Sequence, residues 1–390
     1  MTSDRPLFAG IYARGEVAAH LTDVAWVQAM LDVEAALAGA AARLELIPAS
    51  AAREIAAACH AGRFDVVALG RETARHATPV VGLVAALRDA VSGAARPHVH
   101  HGATSQDIVD TALMLLAHGA LGPLLQDARR AADAAARLAE DHRHTAMIGR
   151  TLLQQALPVT FGLRAAGWLT GVDAARQRLA EIRNGELAVQ MGGPVGAGDP
   201  ALAAEVASRL GLVVPVLPWQ AIRVRPAALA GALGTLAGVL AKIARDVTLL
   251  AAQEVGEVSE GGDPGRGGSS AMAHKHNPVG AVSVLACAKR TPGLVATALA
   301  CMEQEHERAA GAWQAEWETY AELLSLTGSA TAWARELLED LVVDPERMRT
   351  NLRAAGVDGN DAVAPAPAGE LIDRALAAHR AAVAAEPVTA

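Results

Sequence analysis

The feature that most constrains folding in this sequence is an apolar seam: Leu229, Leu233, Leu236, Leu240, Ile243, Val247 and Leu250 recur in alternating steps of four and three. That spacing paints one stripe along an α-helix. It begins just after Pro226, and proline is tolerated in the first turn of a helix. A helix carrying three such heptads is about 36 Å long or more, and its stripe needs partners of comparable length to cover it. The segments beginning near Asp107, Gly149, Pro226 and Pro278 are therefore expected to supply one elongated helical bundle.

Other segments repeat the pattern. Trp26, Met30, Val33, Leu37, Ala40 and Leu44 share one helical face, with Thr22 or Asp23 placed to cap its start. From there to about His98, Pro48, Gly62, Gly70 and Pro79 divide the chain into shorter helices, a candidate N-terminal lobe over residues 1–105. Leu124, Ala128, Ala131, Ala135 and Leu138 mark a further helix, and Gly119, Gly122 and Pro123 are expected to kink or interrupt whatever precedes it. Residues 106–325 then form the central long-helix domain and 326–390 a shortened C-terminal helical domain. Two glycine-rich stretches, Met191 to Gly198 and Gly261 to Ser270, read as loops, the usual place for binding residues on a rigid scaffold. Ala362 to Gly369 reads as a linker before one last helix. Hydrophobic residues are 52% of the chain but aromatics only 3%, so Ala, Leu and Val carry the apolar content, which favours packed helices over sheet. Small residues between the seam positions leave room for neighbours on several sides, including copies of the same chain. The fold class expected is all-α.

The formal net charge is -8 and no Lys/Arg run occurs, which argues against a nucleic-acid or anionic-membrane partner. The N-terminus, MTSDRPLFAG, lacks the basic segment and apolar run of a signal peptide, and no uninterrupted strongly apolar stretch reaches about 18 residues. The expectation is a cytoplasmic protein acting on a small molecule. The three cysteines, Cys59, Cys287 and Cys301, form no metal or redox spacing, and neither a metal nor a cofactor is expected.

Three segments carry chemistry. In Val99 to Thr111 (VHHGATSQDIVDT), His100, Thr104, Ser105 and Gln106 stand directly before a helix start, where backbone N–H groups attract anions; the same Ser/Thr/Asp group also reads as a plain cap. In Gly149 to Gly162 (GRTLLQQALPVTFG), Arg150, Thr151, Gln154 and Gln155 offer a cation with amide and hydroxyl groups; a helix N-terminus with a solvated arginine explains them equally well. In Gly267 to Pro278 (GGSSAMAHKHNP), glycines let backbone N–H groups converge while Ser269, Ser270, Lys275 and Asn277 supply a potential base, a cation and an amide. The order of Gly, Lys and Ser/Thr is not that of a phosphate-cradling P-loop.

These three segments resemble the signature regions of the fumarase/aspartase superfamily, whose loop follows GSSxMPxKxNP; the match covers Gly268 to Pro278, with Ala273 in place of the usual proline. TSQDIVDT (104–111), GRTLLQ (149–154), EVGEVSE (254–260) and HERAAGAWQAEWE (306–318) resemble the carboxymuconate cycloisomerase branch, and the likeness runs from about Pro6 to Leu352. The resemblance implies a homotetramer around a twenty-helix core, with active sites shared between subunits, acting on a tricarboxylate. It implies Ser269 as general base or acid and Lys275 as its catalytic partner and a carboxylate ligand, with Asn277, His100, Thr104, Ser105 and Thr151 as substrate contacts. Gln106, Arg150, Gln154, Gln155, Ser270 and Met272 complete the expected binding set.

Two acid/base positions of the wider family are vacant: Leu152 and Gln155 stand where other members carry histidine, and Val282 replaces a carboxylate. Expelling an amine or hydroxide needs a proton donor, worth about 10²- to 10⁴-fold, whereas a carboxylate departs or adds without one. Taken with these vacancies, the resemblance implies lactonisation of a carboxymuconate in aromatic catabolism through an enolate-like intermediate. A C–N lyase of the adenylosuccinate type, releasing fumarate, and a catalytically silent structural relative stay open as alternatives.

Overall fold

The computed structural model describes residues 6–263, 265–272, 275–357 and 367–385. Helices dominate them, and the chain forms two compact units, each assembled from three separate segments. Unit 1 takes Met1–Pro123, Leu179–Leu233 and Pro292–Ser325; unit 2 takes Leu124–Arg178, Gly234–Thr291 and Leu326–Ala390. A division in chain order at residues 105 and 325 does not map one to one onto these units.

In chain order the helices are α1 (Pro6–Tyr12), α2 (Asp23–Arg43), α3 (Ala49–Ala58), α4 (Val66–His76), α5 (Pro79–Asp89), α6 (Ser105–Asp141), α7 (Phe161–Gly185), α8 (Pro200–Leu210), α9 (Val224–Leu250), α10 (Val279–Ala300), α11 (Ala312–Glu339), α12 (Pro345–Ala354) and α13 (Ala368–Ala384). Four short strands accompany them: β1 (Ala146–Thr151) pairs with β2 (Gln154–Thr160), and β3 (Val258–Glu260) with β4 (Leu341–Val343), both antiparallel.

Within unit 1, the start of α2 is set by Thr22, whose hydroxyl accepts the Ala25 N–H at 3.1 Å, as the capping pattern predicts. Met30, Val33, Leu37 and Ala40 of the expected stripe are all buried, and α2 packs on α3 and α8. Asp65, Thr78 and Asp199 cap α4, α5 and α8 in the same way. Arg223, one residue before α9, is a fully buried cation of this unit. Its guanidinium grips Asp110 of α6 at 2.6 and 3.1 Å and Glu316 of α11 through Nε at 3.0 Å, and it lies 4.9 Å from the centre of the Trp219 ring. Trp313 Nε1 donates to Asp110 at 3.0 Å. Burial opposes the cation, but the charges of Asp110 and Glu316 outweigh it and hold Arg223 above its ordinary range.

Within unit 2, Leu124, Ala128, Ala131 and Ala135 of α6 and Leu236, Leu240, Ile243 and Val247 of α9 are buried, as the periodicity requires. The α9 seam is buried along its whole length, Leu229 to Leu250.

Two expectations are corrected. Helix α6 runs without interruption from Ser105 to Asp141 with Pro123 inside it. The residue four before Pro123, whose carbonyl the ring crowds, is Gly119, and Ala117, Ala120, Leu121 and Leu124 around it are fully buried. Apolar burial of that density outweighs the roughly 3 kcal/mol cost of an internal proline. The second correction is the GRT segment, where no helix starts near Gly149. It is the β1–β2 hairpin, and α7 begins only at Phe161. Arg150 pairs with Gln155 and Thr151 with Gln154 across a two-residue turn made by Leu152 (φ 51°) and Leu153 (φ 65°). Both turn residues sit in the left-handed region that such a hairpin demands and that Asn-Gly normally supplies. At Gly149 the register shifts, and a Cβ there would lie 2.6 Å from the Leu157 carbonyl oxygen, so only glycine fits.

The linker at Ala362 to Gly369 lies outside the described residues up to Ala366; α13 follows from Ala368. By length and composition α2, α6, α9 and α10 could each cross a membrane, although no uninterrupted run announces it; in α2, α6 and α9 most of the apolar window is buried inside the protein.

Replacing Leu240 with Ala removes three carbons from a fully buried site. It is expected to cost about 2–5 kcal/mol, seen as a lower urea midpoint with an unchanged slope.

Candidate active site

In unit 1 the candidate residues gather at the start of α6. Asp107 is fully buried, and its carboxylate accepts the backbone N–H groups of Thr104 (3.0 Å), Gly192 (2.9 Å) and Gly193 (2.9 Å) and the Gln190 amide (3.1 Å). It thereby ties the 99–104 segment to the glycine-rich 191–198 loop. Burial pushes the Asp107 carboxyl up, to about 6, against the N–H donors that favour its charged form. Thr104 and Asp107 have the spacing of a capping box. The Thr104 hydroxyl accepts from Arg308 at 2.8 Å, which places the 304–311 segment on the same spot. Ser105 opens the helix and is half-buried.

Gln106, expected to touch substrate, is fully buried, and its amide donates to Asp110 at 3.1 Å and the Gln220 carbonyl at 2.7 Å. Gln220 in turn donates to the Glu307 carbonyl at 2.9 Å. The Gln106 amide nitrogen, Nε2, thus helps hold the cluster together, while Oε1 is buried without a hydrogen-bond partner among the described residues. His100 is half-buried, with Nδ1 2.5 Å from Oε1 of the fully buried Glu34.

In unit 2 the hairpin and the serine loop share one frame built from the 254–260 segment. Glu257, fully buried, binds the Arg150 guanidinium in bidentate fashion at 2.7 and 2.9 Å and accepts from Asn351 at 2.7 Å. Arg150 therefore anchors the hairpin, leaving Thr151, Gln154 and Gln155 exposed near its tip. Glu260 accepts the Gly280 and Ala281 N–H groups, both at 2.9 Å, and so fixes the first turn of α10. Between Glu260 and α10 lies the serine loop. It is closed at its neck, where Asn277 donates its backbone N–H (2.8 Å) and its side-chain amide (3.0 Å) to the Gly267 carbonyl. Gly267 has φ 86°, and a Cβ there would meet the Asn277 carbonyl oxygen at 2.5 Å. Asn277 is thus a clasp for the loop.

Ser269 Oγ accepts two backbone N–H groups, from Ala271 at 3.3 Å and Met272 at 3.2 Å. Such donors lower the cost of negative charge on the oxygen. Ser270, Met272 and Lys275 are exposed beside it, and Ala273 and His274 lie outside the described residues. Among the described residues no group of three His, Cys, Asp or Glu side chains is arranged to hold a metal.

Sequence reasoning missed Glu34, Asp107, Asp110, Arg223, Glu257, Arg308, Glu316 and Asn351 as members of these clusters. Only Asp107 had a local signal, its capping-box spacing from Thr104. The others are joined across 66 to 204 residues of chain, as the His100–Glu34 and Arg308–Thr104 contacts show.

The profile of the lyase family matches residues 13–293. The chain belongs to the fumarase/aspartase superfamily of lyases. It is 46% identical over 355 residues to a 3-carboxy-cis,cis-muconate cycloisomerase of Pseudomonas aeruginosa, covering 89% of this chain and 77% of that protein. It is 44% identical over 370 residues to a nitrosuccinate lyase of Streptomyces davaonensis, covering 90% of this chain and 78% of that one. The crystal structure of a 3-carboxy-cis,cis-muconate lactonizing enzyme from Pseudomonas putida superposes with a TM-score of 0.89 at 34% identity, covering 97% of this chain and 99% of its own. The all-α helical-bundle fold is thus that of the superfamily.

Replacing Asp107 with Ala leaves three backbone N–H groups and the Gln190 amide without their acceptor. At about 1–3 kcal/mol for each unsatisfied buried donor, the loss is expected to exceed about 3 kcal/mol, with Asp107→Asn losing less, in paired denaturation curves.

Proposed function

We propose that this chain is a lactonising cycloisomerase, an intramolecular lyase that interconverts 3-carboxy-cis,cis-muconate and a carboxymuconolactone in protocatechuate breakdown. The observation that carries the reading is the likeness to the Pseudomonas enzymes across nearly the whole chain. The chemistry of the residues agrees with it. One carboxylate oxygen of the substrate bonds to a diene carbon, the double bond is lost, and a proton enters at the neighbouring carbon. Nothing is expelled, so no acid is needed for a leaving group, consistent with Leu152 and Gln155 where other members carry histidine.

In this reading Ser269, with its two N–H donors, moves the proton at carbon, and Lys275 stabilises the enolate-like intermediate. Thr104, Ser105, Thr151, Gln154, Gln155, Ser270 and Met272 are assigned to the substrate; Gln106, Arg150 and Asn277 hold the segments that carry them. We read the chain as a subunit of a cytoplasmic homotetramer with shared sites. Leu152, Leu153 and Leu157 at the hairpin tip are 96%, 75% and 76% exposed, and two of them adopt left-handed backbone. An apolar, strained tip of this kind favours cover by another chain.

The likeness to a nitrosuccinate lyase supports a second reading, since nitrite, like a carboxylate, departs without protonation. Both are tested by supplying purified protein with the tricarboxylate, nitrosuccinate or adenylosuccinate and following diene loss, nitrite or fumarate. Rapid diene loss is the expected outcome. Ser269→Ala should lower kcat by about 10²-fold or more; full retention of rate would remove its assigned role.

A further inference from the structure

Glu34 lies on α2, with its side chain fully buried among the apolar residues of unit 1. Its Oε1 is 2.5 Å from His100 Nδ1, while Oε2 is buried with no hydrogen-bond partner. A carboxylate out of water with one oxygen unsatisfied is costly unless its remaining partner carries charge. His100 is held at φ 66°, and Gly102 follows at φ 71°. For a residue with a side chain that backbone costs about 1–2 kcal/mol, so the surroundings impose the ring's placement. The imidazole keeps 15% of its surface open, and Nε2 has no protein partner among the described residues. It sits close in sequence to Thr104 and Ser105, at the positive end of α6.

We propose that Glu34 is a positioning residue that fixes His100 as a doubly protonated ring, so that Nε2–H is presented as a cationic donor to a substrate carboxylate. This supplies, from unit 1, a histidine–carboxylate pair in a chain that lacks histidine at Leu152 and Gln155. The inference rests on the proposed function only for the identity of the anion.

The groups facing the ring agree with that state. Burial disfavours the imidazolium, but the hydrogen bond and charge of Glu34 on α2 outweigh it; Asp107 of α6 adds to the upward shift and Arg88 of α5 opposes it, so His100 titrates above its ordinary value. Cys59, after α3, has its thiol pushed up to about 12 by burial and then by Glu34 and Asp32. Because the folded-state value is raised, the imidazolium stabilises the fold fully below about 6.5, and that contribution is lost as pH rises through the folded-state value.

The test compares wild type, Glu34→Gln, Glu34→Asp and His100→Asn across pH 6–9, with kcat and KM measured on the tricarboxylate. In the wild type, KM should rise about tenfold per pH unit above the His100 titration. In Glu34→Gln this rise should begin at least about one unit lower with kcat little changed at pH 6, and Glu34→Asp should restore part of the shift. His100→Asn should show a high KM with no such limb. An unchanged limb in folded Glu34→Gln overturns the proposal. Ring NMR of His100 in the wild type decides without turnover: titration above about 6.5 supports the pair, and titration below it overturns the pair even if the substrate assignment fails.

Discussion

The guanidinium of Arg223 is the interaction on which unit 1 is built. It is fully buried and joins the residue before α9 to Asp110 on α6 and Glu316 on α11, while Gln106 and Trp313 complete the coordination of Asp110. A single cation between two carboxylates is stable in the interior only when every party is present; removing one partner of such a pair costs about 3–5 kcal/mol. The geometry is also specific, because a bidentate arginine donates to its carboxylate in one plane. The axial register of the three helices within the unit is thereby locked, and with it the height at which the first turn of α6 emerges.

Within each unit the candidate segments are held by carboxylates that are committed to protein donors. Asp107 collects N–H groups from two segments; Glu257 holds the hairpin through Arg150; Glu260 caps α10 at the far end of the serine loop. These contacts hold segments whose outward-facing groups include hydroxyls, amides and Lys275. An intramolecular lyase has the same requirement, since several carboxylates of one small molecule must be aligned before a single proton moves.

Much of the fold was legible because it depends on local periodicity. The α9 seam and the α2 stripe were read residue by residue, since burial every three or four positions leaves its imprint wherever a helix is half covered. The hairpin was not, because Leu152 and Leu153 occupy turn positions that ordinarily announce themselves with Asn and Gly. Pro123 does not interrupt α6 for the converse reason: its local penalty is real, but the apolar density around it is greater. Gln106, Arg150 and Asn277 carried a binding signature, and what no local pattern announced is that their nitrogens also donate to neighbouring protein groups.

The sequence by itself determined that the chain is helical, which stretches are long, and that Ser269, Lys275 and the Thr104–Ser105 pair stand in loops or at a helix start, because these follow from spacing along a few turns. Only the tertiary structure decided which acids serve which bases. Glu34 with His100, Glu257 with Arg150 and Asp110 with Arg223 are pairings across 66, 107 and 113 residues of chain. A charge's partner is chosen by what remains nearby once water has been removed, and no local pattern encodes that.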